Sequence, residues 1–314
     1  MNCPTRERLP TTPRSPRVRS RYSLPRRETL WGYAFILPWV IGLVAFTVGP
    51  IFAVFYYSFT DYSILSAPTW IGFENYLRIL TSDDKFLTSL VNTAFYVLLR
   101  VPVHLTLVFA LALLLNRSVR GIGIFRTAIY LPSMMPIVAL AVIWRILMDP
   151  RIGYVNYFTG MVGLPEINWL TSAQWIKPVI TFISLWNVGV AMIIFLAGLG
   201  NVPEQLYEAA ALDGANAWQK LWKVTIPMMT PVILFNVIID IINSFQVFAY
   251  ALILTKGGPN DASLFYVLYI YLQAFESFQM GYASALSAIL FVIILFFTVL
   301  LMKSSKHWVQ YERL

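Results

Sequence analysis

The sequence predicts an all-α integral membrane protein whose chain crosses the bilayer six times. Three observations predict it. Of 314 residues, 58% are hydrophobic and 12% charged, with a mean hydropathy of +0.68. A fold in water cannot cover that much apolar surface with so few charges, whereas a bilayer removes the need. The apolar residues gather into six runs, each near the roughly 20 residues that a helix needs to cross the hydrocarbon core. Between the runs, loops rich and poor in basic residues alternate, as they do in chains oriented by the positive-inside rule.

The first run, 29–60, lies between Glu28 and Asp61 and contains Pro38 and the pair Gly49 and Pro50. A kink or an early end near Pro50 is expected. The second run, 87–115, carries Arg100 and His104, and the third, 127–147, carries Pro132, Pro136 and Arg145. The fourth, 178–200, has no charge, and a polar stretch over 201–225 follows it. The fifth, 226–255, encloses Asp240, and the sixth, 277–302, is again uncharged. With the N-terminus placed inside, 16 of the 23 basic residues fall in cytoplasmic segments and five in external ones. Both termini are therefore expected in the cytoplasm, and the chain in the cytoplasmic membrane.

Eight of those basic residues, Arg6 to Arg27, precede Leu30 in a stretch rich in Pro and Ser without apolar periodicity. A disordered basic tail that holds the first span by its inner end accounts for them better than nucleic-acid binding does. The first apolar run is too long for a cleavable signal peptide, and more spans follow it. The single cysteine, Cys3, leaves no partner for an internal disulfide or a cysteine metal cluster. No metal, cofactor or catalytic residue is expected, since no nucleophile-elbow or zinc-protease pattern occurs. A phosphate-binding G-x-x-x-x-G-K-[ST] loop is missing as well, so any ATP would have to be used on another chain.

The stretch from Asn201 to Pro227 is the most informative. It reads as two short helices. Pro203 and Glu204 suit the first turn of one, and Gly214 can end it in a left-handed conformation. Asn216 can then cap the second, with Gln219 three residues on as in a capping box. Trp218, Leu221 and Trp222 fall on one face, and Pro227 opens the fifth span. Such a helix pair could dock in a groove of another protein or lie on the membrane surface; the residues alone support both readings equally.

Glu208-Ala209-Ala210, three residues, Gly214, nine residues, then Val224-Thr225-Ile226-Pro227 resembles the EAA motif of binding-protein-dependent ABC importer permeases. Val and Ile stand where that pattern has Ile and Leu. The segments Phe35 to Asp61, Trp70 to Tyr76, Thr255 to Pro259 and Gly281 to Ser287 are similar to the first-type permease of the carbohydrate uptake group. The resemblance implies a type I ABC importer permease bundle in which Glu208, Ala209, Ala210, Asp213, Gly214 and Pro227 form a loop that couples to an ATPase. It implies as partners a second permease subunit, two ATP-binding subunits, an external solute-binding protein, and a sugar or related polyol or sugar phosphate as cargo. On this reading the chain divides into a tail over 1–28, a first span with external loop over 29–86, a permease core over 87–303 with its coupling loop at 201–226, and a cytoplasmic tail over 304–314.

Ionisable and amide side chains inside a span are costly unless they face protein or water, which makes them candidates for a solute path. Asn236, Asp240 and Asn243 share one face of the fifth run, with Gln246 nearby and Asn187 in the fourth. Phe245 or Tyr250 could supply the aromatic platform that sugars use. The same residue types also serve as helix–helix glue. Arg100 and His104, one turn apart, either pair with Asp240 or brace the bundle, and bracing is the stronger expectation. Arg145 sits near enough to a span end to extend its charge to water. A transporter or channel driven by an ion gradient is the alternative, with Asp240 as its one intramembrane carboxylate.

Overall fold

The computed structural model describes residues 26–117, 119–163 and 165–310. Most of the expected basic tail, Cys3 included, and residues 311–314 lie outside the described residues. The described chain falls into two compact units that divide between Phe52 and Ala53. In the first, helix α1 (Arg26–Leu43) already begins inside the segment expected as tail. The interruption expected near Pro50 takes the form of a π turn over Val44–Val48, after which α2 (Gly49–Tyr57) continues. Pro50 has no N–H to give the preceding turn; the Gly49 N–H bonds back to the Val44 carbonyl, one residue wider than in an α-helix.

The second unit opens with a feature the apolar pattern did not announce. Strands β1 (Thr60–Ser63) and β2 (Ser66–Trp70) form an antiparallel hairpin, followed by α3 (Glu74–Thr81). Ser66, Ala67 and Pro68 have poor strand propensity, and pairing is enforced by neighbours. The Asn75 amide donates to the carbonyls of Ser58 and Thr60 at 3.0 Å each, and the Tyr76 hydroxyl donates to Ser58 Oγ at 2.7 Å.

The bundle proper consists of α4 (Asp84–Leu115), α5 (Ile122–Tyr130), α6 (Ile137–Leu147), α7 (Tyr154–Met161), α8 (Ile176–Ser184), α9 (Gly189–Gly200), α10 (Glu204–Leu212), α11 (Ala217–Lys220), α12 (Ile226–Phe245), α13 (Ala249–Leu254), α14 (Tyr266–Tyr271) and α15 (Met280–Trp308). Four continuous stretches, Leu30–Tyr57, Asp84–Leu115, Ala217–Leu254 and Met280–Trp308, are long and apolar enough to cross a membrane. Two bent pairs, Ile122–Met134 with Ile137–Leu147 and Ile176–Ser184 with Gly189–Gly200, bring the number to six when each is taken as one span. The last helix runs on to Trp308, past the expected end at Met302.

Neither bend follows from the apolar runs. The third span, expected as one helix, turns by 94°. Pro132 sits in a 3-10 turn over Leu131–Met134 and Pro136 caps α6; proline lacks the N–H and clashes with the preceding turn. The fourth span turns by 51° between Ser184 and Gly189. No proline explains it. Instead the Asn187 carbonyl accepts from His104 Nε2 at 3.2 Å, and the Gly189 N–H donates to Ser133 Oγ at 2.7 Å. Irregular backbone at membrane depth persists only where such neighbours satisfy its polar groups.

Two apolar cores fill the bundle. One, toward the hairpin end, includes Ile79, Tyr96, Ile180, Ile183, Phe265, Tyr266 and Leu286. The other, toward the opposite end, joins Val108 and Ala112 to Met192, Phe195, Leu199 and Met229. Large apolar side chains such as Leu98, Ile146 and Phe296 point outward, while Arg100, His104, Asn236 and Asp240 are buried. That inversion of the water-soluble pattern suits hydrocarbon outside and polar groups within. At the hairpin end, Asp83 caps α4 by accepting the backbone N–H groups of Lys85 and Phe86 through Oδ1. Its Oδ2 accepts the Tyr269 hydroxyl at 2.7 Å and the Tyr282 hydroxyl, which ties α4 to α14 and α15.

Candidate functional site

Between the two apolar cores lies one polar layer. On α4, Arg100 and His104 are one turn apart and face the bundle interior. From α12, Asp240 Oδ1 accepts from Arg100 Nη1 at 2.5 Å and lies 3.1 Å from His104 Nδ1. The same Nη1 donates to Ser244 Oγ at 2.8 Å, and Arg100 Nε donates to Ser184 Oγ at 3.2 Å, at the end of α8. Residue exposures of 8% for Arg100, 3% for His104 and 6% for Asp240 leave the pairing little screening by water. Three separate spans meet in this layer.

Asp240 Oδ2 and His104 Nδ1 have no hydrogen-bond partner of acceptable geometry. The short Nδ1 to Oδ1 approach is thus a close contact and not an aligned hydrogen bond. Arg100 thus pairs with Asp240, and by joining α4 to α8 and α12 it braces the bundle as well.

Directly against this layer is a cavity of about 410 Å³. Arg100, Ser184, Asn187, Asn243, Gln246 and Tyr250 line it, together with Tyr96 and Phe248. Its position follows from the backbone. The α8–α9 break places Ser184 and Asn187 on one side. The gap between α12 and α13, where Gln246 ends the helix and Phe248 leaves helical geometry (φ −139°, ψ −62°), forms the other. At such breaks backbone groups leave the helical ladder, and the side-chain amides of Asn187 and Gln246 stand beside them as further donors and acceptors.

The expected path residues divide accordingly. Asn187, Asn243 and Gln246 line the cavity. Asp240 stands behind Arg100, outside the lining. Asn236 does not reach the cavity; its amide donates to the Val232 carbonyl one turn back, at 2.9 Å. Asn236 and Asp240 are buried and Asn243 is exposed, since the cavity touches only the C-terminal end of α12. Phe245 stacks on Phe297, centroids 5.5 Å apart, and offers no platform, whereas Tyr250 lines the cavity. Tyr96, overlooked among the candidates, precedes Arg100 by one turn on the same face of α4, and that spacing was the available signal. Arg145, at the hairpin end of α6, donates to the Ile253 carbonyl at 3.3 Å and lines a separate cavity with Asp149. Among the described residues no group of His, Cys, Asp and Glu could hold a metal ion.

The polar stretch before the fifth span folds as two short helices. α10 ends in a Schellman motif: the Ala215 N–H bonds to the Ala210 carbonyl at 2.9 Å, and the Gly214 N–H to Ala211 at 3.0 Å. Gly214 has φ +76°, the left-handed conformation that glycine adopts without a Cβ penalty. Asn216 and Gln219 then make the reciprocal capping box, 2.9 Å in each direction. A π turn over Leu221–Thr225 joins α11 to α12, and the Tyr207 hydroxyl meets Thr225 Oγ1 at 3.0 Å to tie α10 to that joint. Glu208, Ala209, Asp213, Gly214, Leu212, Trp218 and Trp222 all face outward, so the pair presents an open surface. Pro227 lies in the first turn of α12, where its missing N–H is harmless.

Comparisons with known proteins agree with this architecture. The family model described as a binding-protein-dependent transport system inner membrane component matches residues 103–307. The probable ABC transporter permease protein YesP of Bacillus subtilis is 42% identical over 294 residues, covering 91% of this chain and 94% of that protein. The trehalose/maltose transport system permease protein MalF of Thermococcus litoralis is 30% identical over 285 residues, covering 89% and 95%. Among solved structures, a chain of a bacterial alginate ABC transporter in complex with an alginate pentasaccharide-bound periplasmic protein superposes with a TM-score of 0.80 at 25% identity, covering 90% of this chain and 96% of that one.

Proposed function

The chain belongs to the family of binding-protein-dependent transport system inner membrane components, the multi-pass permeases of ABC importers, and from that premise we propose that its cargo is a sugar, most simply a short oligosaccharide. The observation that carries the reading is the cavity at the meeting of two helix breaks, lined by amides, hydroxyls and aromatic rings. Sugars are held by such planar polar groups beside an aromatic face. Relatives that carry trehalose and maltose, or that act with a periplasmic protein loaded with an alginate pentasaccharide, support the same class. Asn187, Asn243 and Gln246 would contact the cargo, and Asp240 would hold Arg100 in place. Asn236 keeps only a packing role.

Energy would come from elsewhere. The exposed helix pair α10–α11 would dock on an ATP-binding subunit through Glu208, Ala209, Ala210 and Asp213, with Gly214 setting the turn and Pro227 opening the helix behind it. A second permease, two ATP-binding subunits and an external solute-binding protein would complete the assembly, and this chain would hydrolyse nothing itself. Basic residues near the α10–α11 end and the asymmetry among loops support a topology with that end and both termini in the cytoplasm. The division into tail, first span with external loop, core over 87–303 and short C-terminal tail is retained as part of this reading. The ion-gradient alternative has no support among the relatives, and Asp240, tied to Arg100, is poorly placed to shuttle a cation.

Reconstitution tests it. Vesicles holding the complete transporter, supplied with loaded binding protein, should take up oligosaccharide only when ATP reaches the side bearing α10–α11. Uptake sustained by a proton or sodium gradient without ATP would overturn the reading.

A further inference from the structure

The cavity contains an asymmetry of charge that a neutral cargo does not explain. Of its lining residues only Arg100 is ionised. Its counter-ion Asp240 lies behind the guanidinium and is not part of the lining. Arg100 Nε and Nη1 are engaged by Ser184, Asp240 and Ser244, on α8 and α12, which fixes the plane of the guanidinium. Nη2 takes no partner among the described residues. Nor is it one of the enclosed polar atoms that lack a partner, since those are His104 Nδ1 and Asp240 Oδ2. The free edge of this locked cation is therefore its Nη2 edge, on a residue that lines the cavity.

We propose, resting on the sugar-importer reading, that the cargo is an acidic sugar and that Arg100 Nη2 receives its carboxylate. A guanidinium held from behind by one carboxylate can bind a second on its free edge, with the cation between the two anions. Its charge is already largely offset by Asp240, so it matches a monoanionic carboxylate and not a dianionic phosphate. The amides of Asn187, Asn243 and Gln246 and the hydroxyls of Tyr96 and Tyr250 share the same cavity and suit the hydroxyls of the sugar ring. A guanidinium that served only as a brace would have no need to turn a donor edge toward open space.

The test uses the complete transporter with its binding protein in ATP-loaded vesicles. Three labelled cargoes are compared: a uronate trisaccharide, the same trisaccharide with each carboxylate reduced to a primary alcohol, and a sugar phosphate. The uronate should be taken up at least about tenfold faster than its reduced form, the scale of one hydrogen bond to a charged group. Arg100→Lys keeps a charge opposite Asp240 but removes the free edge, and should bring that ratio close to one. Loading of each trisaccharide onto the binding protein, measured separately, corrects for selection before the cavity. Equal uptake of both trisaccharides, preference for the reduced form or the phosphate, or an unaltered ratio in Arg100→Lys each overturns the proposal while leaving the importer reading in place. ATP-independent uptake, or none of any sugar, overturns both. The comparison on the unaltered transporter decides the matter even if the lysine variant does not assemble.

Discussion

At the scale of single residues, the arginine–aspartate pair between α4 and α12 dominates. A buried pair gives little net stability compared with apolar residues of the same volume, but removing one partner strands the other. Asp240→Ala should therefore destabilise the permease by about 3–5 kcal/mol, because the buried Arg100 guanidinium would lose its counter-ion. Replacing both members, as Arg100→Met with Asp240→Leu, should recover much of that loss while uptake stays abolished. Thermal unfolding of the purified permease in detergent reads both, and an unchanged midpoint for Asp240→Ala would demote the pair. That Asp240 sits inside a span was plain from the sequence. Pairing with Arg100 was one of two expectations and the weaker one, since Arg100 lies 140 residues away, and which faces of two helices meet is decided by packing, not by either helix's own pattern.

Individual elements differ in how openly the sequence announces them. The α10–α11 pair was legible almost to the atom, because its stop and start signals are local: Gly214 with φ +76° and the Asn216–Gln219 box. Asn216→Ala should cost about 1 kcal/mol of local stability, visible as faster amide exchange over 216–220. Gly214→Pro or Glu208→Lys should leave the chain inserted in the membrane yet let ATP hydrolysis run without uptake; normal uptake in either variant would remove the docking role. The bend of the third span has a local cause in Pro132 and Pro136, but the hairpin and the bend of the fourth span were not legible, because their causes are tertiary. Thr60 and Gly281 show why. A β-carbon on Gly281 would lie 2.0 Å from the Thr60 carbonyl oxygen, so β1 can pack on the start of α15 only because that position is glycine. Gly281→Ala should lower stability by about 1–3 kcal/mol and expose the hairpin to protease. Read alone, both segments were only stretches of a family resemblance; in space they are one contact.

For the molecule as a whole, the six-run pattern carried the architecture because bilayer thickness constrains helix length directly. The location of the cavity was less accessible, since it depends on where spans are broken and not on where they are apolar. The proposed topology yields a direct check. With Cys3 replaced by serine, a cysteine placed at Ala215 should react with a membrane-impermeant thiol reagent only in inside-out vesicles, and one placed at Thr171 only in intact cells. The opposite pattern would invert the orientation.

One rod connects the two ends of this design. α12 leaves the π turn at Thr225 and runs without interruption to Phe245, about 30 Å at the rise of an α-helix. Its foot is tied to α10 by Tyr207, it is pinned to α4 by Asp240 about three quarters of the way along, and its head borders the cavity. Pinned there, it would act as a lever with Arg100 at the fulcrum, a long arm toward the foot and a short one toward the head: a push at the foot would swing the head the other way. Softening the arm between foot and pivot, by Ile233→Gly with Leu234→Gly, should therefore let the foot move while the head stays still, so that ATP is consumed with little cargo delivered.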